Sequence, residues 1–484
     1  MLVDQLVERG YASWNNLPGW AQHELKKAIS GWQAAAEGGS ASAQFNLAIL
    51  SWEGRYIAKS NMDAARWCKK AAEQGLAEAQ SLLGDMYLAG RFVVQSDVAA
   101  AQCYKEAANR GIVEAQYNVG LMCENGYGVA QSDDEAAKWI TKAAEQGFVE
   151  AQRHLGVLFE AGRGMAQSNT KAGWWYEKAA KQGNSEAQCR LGTLFGIGHG
   201  FAQNDVKAVA WYKKAAEQGY AQAQTNLGHM FRVGRGVAQS DIEAARWYKM
   251  AAEQGNADSQ CSLAMMFESG RGVAKSDSKA FSWYTKAAEQ GIGEAQCNLA
   301  NLFGGGRGVA QNNVKAARWF KMAADQGHAE AQVNLGLVFE KGRGVTQSDV
   351  EAARWYEMAA EQGFADAQFY TGTMFERGCG VAQSNESAAQ WYKKAADQGH
   401  VEAQYSLGLL LSHGHSTEHS DVEAARWFKK AADQGHAEAQ NSLGYCYANG
   451  RCAAQSDVEA ARWFKKAADQ GHAMAKHNLG VLHD

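Results

Sequence analysis

The sequence predicts an all-α protein built as a solenoid of paired helices, and three observations predict it. Tryptophan recurs every 36 residues, as Trp67, Trp139, Trp175, Trp211, Trp247, Trp283, Trp319, Trp355, Trp391, Trp427 and Trp463, with only Cys103 breaking the series. The segment SDVEAARWYEMAAEQG at 348–363 returns nearly unchanged at 240–255 and 456–471. Glycine ends each helical pattern at a fixed place, and the single proline, Pro18, stands outside the repeats. A period of this length signals an array in which each unit buries its apolar face only against its neighbours.

The chain divides accordingly. Residues 1–40 read as amino-terminal capping helices, with Pro18 at a helix start and Ala35-Ala36-Glu37 already matching the later units. Residues 41–472 hold twelve tandem units, and 473–484 a closing half unit. Each unit reads helix A, turn, helix B. Helix A is AEAQVNLGLVFEKG at 329–342, with Ala331, Leu335, Val338 and Phe339 as its core stripe. Gly336 is placed for close approach, and Gly342 stands where a left-handed residue stops the helix. Helix B opens on a capping box, Ser348 with Glu351, repeated at Ser240/Glu243, Ser420/Glu423 and Ser456/Glu459. At 100° per residue Ala352, Ala353, Trp355, Tyr356, Ala359 and Ala360 share one side of helix B, opposite Glu351, Arg354, Glu357 and Glu361. Repetition of the tryptophan in nearly every unit assigns it to the core.

Composition narrows the function classes. The formal net charge is −4, from 48 Lys and Arg against 52 Asp and Glu, which is no footprint for a polyanion. No run is apolar enough to span a bilayer and the amino end carries no signal-peptide apolar region, so a cytoplasmic protein is expected, with non-classical secretion as the alternative. The nine cysteines form no regular pairs and no CxxC, and read as reduced small hydrophobes; Cys446 and Cys452 are the one pair close in sequence.

The pattern A-E-A-Q-x-N-L-G-x-x-F-x-x-G-R-G-V followed by D-x-x-x-A-x-x-W-Y-x-K-A-A-E-Q-G resembles the Sel-1-like repeat, a relative of the tetratricopeptide repeat. The resemblance implies a right-handed α-α superhelix acting as an adaptor, with helix A facing a concave groove. Two features depart from the family: the turn carries Ala238 or Ala310 in place of a frequent proline, and the paired cysteines of some secreted members are absent.

On that groove side, the two residues after the AQ pair and the places four and seven beyond the first vary most from unit to unit. Asn46, Asn118, Asn226, Asn298, Asn334 and Asn478 form a carboxamide ladder able to clamp an extended peptide, or else hydrogen bond between units. Arg153, His154, Arg190, His229 and Arg232 predict a basic patch suited to a carboxylate. Phe369, Tyr370, Tyr405 and Tyr445 predict an aromatic patch for an apolar anchor. His413, His415 and His419 replace one turn; their spacing matches no metal motif, and a polar loop is the simpler reading. The stretch 303–308, FGGGRG, follows a helix and lacks the ending of a phosphate loop, so it reads as a C-cap with extra glycine.

No nucleophile–base–acid set stands outside the repeat frame, and no cofactor or metal is expected. The expected function is a non-catalytic scaffold holding a peptide or protein partner in the groove. The alternatives are an inhibitor or immunity-type protein wrapping one enzyme or toxin, and a secreted effector that binds host proteins. A nucleic-acid reader would need basic groove positions in most units, whereas Glu124, Glu160, Glu268, Glu340 and Glu376 recur there.

Overall fold

The computed structural model describes residues 19–54, 57–91, 93–413, 420–451 and 454–482. Among them are 26 α-helices and no strand. The first, Gly19–Glu37, is longer than the rest; A and B helices then alternate, mostly of 13 residues each. The contacts divide the chain into two compact units, residues 1–240 and 241–484. Within each, every A helix packs on the B helix that follows it, and that B helix on the next A helix.

The helix boundaries follow from local chemistry. A helix A such as Ala329–Lys341 starts on an extended N-cap, His328, whose Nδ1 accepts the Ala331 amide at 3.2 Å. It stops at Gly342, whose φ of 63° only glycine adopts without strain. Gly344, in the turn, has φ 79°, and a Cβ there would lie 2.3 Å from the Asn313 backbone of the preceding unit. This glycine is needed both for its dihedral angle and because one unit's turn rests on the start of the previous unit's helix B.

Helix B corrects the expected capping box. The Ser348 hydroxyl accepts the Glu351 amide at 3.3 Å, as predicted. The Ser348 amide, however, donates to the Phe339 carbonyl at 3.0 Å. The same bond links Ser168 to Phe159, Ser276 to Phe267 and Ser456 to Tyr447. The amide thus ties helix A to helix B across the turn, and Glu351 faces Arg354 at 4.0 Å on the outer surface.

The core is alanine-rich, with Ala352, Ala359 and their counterparts fully buried, and aromatic side chains supplying the bulk. Gly336 sits directly under Tyr356: a Cβ would approach the ring to 2.5 Å, so the glycine sets the distance between the paired helices. The tryptophans divide into two groups. Trp139, Trp175, Trp247, Trp355 and Trp463 are buried, whereas Trp211, Trp283, Trp319, Trp391 and Trp427 are only half-buried. In four of these five a lysine one turn on covers the outer face, as Lys214 over Trp211 at 4.3 Å and Lys394 over Trp391 at 3.7 Å, while Met322 stands at that place after Trp319.

A further ladder runs through the joints. In each unit the glutamine of the AQ pair is buried. Gln332 Nε2 donates to the Ala324 carbonyl at 3.1 Å, satisfying the end of the preceding helix B. Its Oε1 accepts from Gln362 Nε2 at 2.8 Å, from the EQG of its own unit. Gln116 with Gln146, Gln188 with Gln218 and Gln404 with Gln434 repeat this. Arg110 replaces one donor, and Gln80 Oε1 is left buried without a partner.

Candidate functional site

The A-helix face holds the candidate residues, and the structure assigns many of them a first role within the fold. Tyrosine follows tryptophan in many B helices, and its hydroxyl reaches back to helix A. Tyr176 donates to Glu160 at 2.7 Å, Tyr284 to Glu268 at 2.8 Å, Tyr356 to Glu340 at 2.8 Å and Tyr392 to Glu376 at 2.6 Å. Tyr104 uses Asp85 at 2.6 Å and Tyr212 uses Thr193 at 3.1 Å. Where helix B has phenylalanine, the carboxylate is gone as well: the same two places are Phe320 and Gly304, Phe428 and Ser412, Phe464 and Ala448. Burial first, then the nearby carboxylate, pushes these phenols far above their ordinary range. Burial alone would raise Glu340, but the bonds from Lys341 and Tyr356 outweigh it and hold the carboxyl below its ordinary value. Glu160, Glu268, Glu340 and Glu376 are therefore acceptors for buried hydroxyls, whereas Glu124, in the unit where Ile140 replaces the tyrosine, takes His154 and Arg163. The signal was readable as a tyrosine–carboxylate pairing across units, and the reading from sequence missed it, as it missed the glutamine ladder.

The predicted basic patch is largely matched from within. Arg153 Nη1 lies 3.3 Å from Glu186, whose same oxygen takes Arg190 Nε at 3.0 Å; Arg190 Nη1 also reaches Glu160 at 3.4 Å. His154 Nε2 meets Glu124 at 3.1 Å, and Tyr117 lies 3.4 Å from its Nδ1. Burial is the main cause that holds His154 below the ordinary histidine range, so it carries no charge at neutral pH. Partial burial, then Arg232 and Arg235, does the same to His229. Arg232, half-buried, has no carboxylate within ion-pair distance among the described residues.

The asparagine ladder is partly spent on joints. Asn226 Nδ2 faces Cys189 Sγ at 3.6 Å and Asn334 Nδ2 faces Cys297 Sγ at 3.8 Å, each in the preceding unit. Asn478 donates to Asn441 at 3.1 Å in the same relation. Asn118 and Asn298 are half-buried and Asn46 is exposed. The first place after AQ is more enclosed than its sequence variety implies: Cys189, Cys261, Cys297 and Val333 are buried there. Burial pushes each of these three thiols up to about 12, which makes them poor nucleophiles.

The aromatic residues form a stacked series. Phe369 lies on the His400 ring at 4.8 Å and Tyr370 on Tyr356 at 5.0 Å, while Tyr405 meets His436 at 4.7 Å. Tyr445 remains 49% exposed. Phe369 and Tyr370 line a cavity of about 730 Å³ together with Glu340, Lys341, Glu376 and Arg377. A second cavity of about 710 Å³, lined by Asn301, Gly304, Asn334, Lys341 and Arg343, adjoins it and shares Leu337 and Lys341.

Among the described residues no cluster of His, Cys, Asp and Glu could hold a metal ion, and no helix is long and apolar enough to cross a membrane. His415 and His419 lie outside the described residues, as does Cys452; Cys446 is disulfide-bonded, and the other seven cysteines are free.

The Sel1 repeat model matches the chain twelve times in succession, from 41–76 through 437–472. The chain belongs to the Sel1 repeat family. Its fold is that of an SLR protein, c5321, a protective antigen of uropathogenic Escherichia coli: 34% identity, a TM-score of 0.79, 93% of this chain and 97% of the other. A Sel1 repeat protein from Oxalobacter formigenes shares 34% identity at a TM-score of 0.52, over 64% of this chain and 89% of that one. No functionally curated protein matches the chain. Sel1 repeats are in general helical scaffolds for protein interaction, and the pairings above are what hold such a scaffold together.

Proposed function

We propose that this Sel1 repeat protein is a non-catalytic scaffold that holds a protein or peptide partner along its A-helix face. The observation that carries this is the pair of adjoining cavities of about 730 and 710 Å³ on that face. Their size suits side chains of a bound segment, and their lining mixes aromatic surface with a few polar groups. The lining also changes from unit to unit, as Asn301, Leu337, Thr373 and Leu409 stand at one equivalent place. The outer surface of helix B repeats Glu, Arg and Lys with little change and distinguishes no unit from the next. Specificity needs individuality, so it belongs on the A side.

Chemistry argues against catalysis. The buried tyrosines, carboxylates and thiols of the face already have structural partners or are raised out of reactivity, and none forms a nucleophile with an adjacent base. A photo-crosslinking residue placed at Asn334 or Tyr370 should capture a partner, whereas the same residue at Glu357 on the outer surface should not. With that partner purified, Phe369→Ala/Tyr370→Ala should weaken binding at least tenfold, and Arg354→Glu should leave it within twofold. The reverse ranking would put the partner on the outer surface and end this reading.

A further inference from the structure

In most Sel1 units the turn carries an arginine that can reach two places in the preceding unit, one on helix A and one at the start of helix B, where carboxylates stand in some units. Arg163 takes both, Glu124 at 2.9 Å on helix A and Asp133 at 2.8 Å at the start of helix B. Arg307 takes the helix A partner, Glu268, at 2.8 Å. Arg235 and Arg271 take the helix B partner, Asp205 at 2.7 Å and Asp241 at 3.1 Å.

For Arg343 both partners have been removed. The helix A place is Gly304 and the helix B place is Asn313. Arg343 is exposed and has no carboxylate partner among the described residues; Asp349, six residues along the chain, is not within ion-pair distance of it. Packing does not demand the glycine. Gly304 is helical, and a Cβ there would meet only the Ala316 Cβ, at an ordinary 3.8 Å. Gly304 lines the cavity of about 710 Å³, whose rim carries Arg343, Lys341, Asn301, Asn334 and Asn313 and no carboxylate. Lys341 is shared with Glu340 at 2.7 Å, so Arg343 is the cation left over. Arg91 has lost the same two partners, but there the place of the glutamate is filled by Trp52.

We propose that this cavity is a carboxylate site, in which an acidic group of a bound peptide takes the place that glutamate and aspartate hold in sibling units. Two observations fit a carboxylate in particular. The same arginine position binds carboxylates at Arg163, Arg235, Arg271 and Arg307, and the carboxamides of Asn301 and Asn334 add donors on the cavity rim. The neighbouring Phe369 and Tyr370 cavity, joined through Leu337 and Lys341, offers an apolar seat for the adjacent ligand residue. The inference rests on the scaffold reading and names the chemistry of what the scaffold holds.

The intact protein would be offered two synthetic random dodecapeptide pools, one with free and one with amidated carboxyl termini, and the retained peptides sequenced by mass spectrometry. Enrichment of Asp or Glu in both pools identifies a side-chain carboxylate; enrichment confined to the free-terminus pool identifies a chain end. Arg343→Gln should weaken the selected peptides at least tenfold. Gly304→Glu/Asn313→Asp, which restores the chain's own carboxylates, should do the same without loss of thermal stability. Retained peptides with no carboxylate bias, or binding within twofold in both variants, would overturn the carboxylate site while leaving the scaffold standing. Retention of no peptide, together with silent crosslinking at Asn334 and Tyr370, would remove the scaffold reading and the site with it.

Discussion

The Tyr356 hydroxyl donates to Glu340 at 2.8 Å across the two helices of one unit, and Gly336 lies beneath the same ring. One tyrosine thus fixes both the spacing and the rotation of its helix pair. Tyr356→Phe should cost about 1.5–3 kcal/mol, the usual worth of a hydrogen bond to a charged group. Tyr356→Phe/Glu340→Gly should cost clearly less than the two changes summed, since the unit with Phe320 and Gly304 is built that way. Urea unfolding of the four proteins, with hydrogen exchange of the helix 329–341 amides as a local readout, measures the coupling. Additive effects would show that the bond contributes nothing.

The depressed carboxyl of Glu340 gives this pair a pH dependence. Its folded pKa lies below the unfolded value near 4.5, so its contribution is present above that pH and is lost as pH falls through the folded value. Glu340→Gln should flatten this part of the acid-unfolding curve.

His154 acts in the next window up. Burial, with Arg153 and Arg163 nearby, holds it neutral against the pull of Glu124. Above its unfolded value of about 6.5 both states are neutral; below it the unfolded chain takes up the proton first, and stability declines. Thermal unfolding between pH 7 and 5 should be less pH-dependent in His154→Gln than in the parent protein.

Arg110 interrupts the glutamine ladder and leaves Gln80 Oε1 buried without a donor. Arg110→Gln should stabilise by about 1 kcal/mol, the net value of one restored hydrogen bond. The bond that Arg110 now gives to the Gly75 carbonyl need not be lost, because Gln182 makes its counterpart to Gly147 at 3.2 Å. An unchanged or lower urea midpoint would count against this account of the ladder.

The two groups of tryptophans should differ in cost. Trp355→Ala removes a buried side chain and should cost about 3–5 kcal/mol. Trp319→Ala, at a half-buried place, should cost less than that. Equal losses by hydrogen exchange in the flanking helices would refute the distinction.

The sequence by itself determined the repeat, its period, the helix pairs and their glycine stops, because those depend on local propensity and on patterns read along one chain. It also carried the tyrosine–carboxylate and glutamine pairings, but as coincidences between distant letters: Tyr356 and Glu340 are 16 residues apart and Gln332 and Gln362 are 30. Only the tertiary structure decided which charges are available. Arg153 on helix A and Arg343 in a turn carry the same charge, yet Arg153 is matched by Glu186 from the next unit and Arg343 faces a cavity where Gly304 and Asn313 stand. Whether a charge is satisfied is set by groups brought within a few ångströms by packing, and that proximity exists only once one unit is stacked on another.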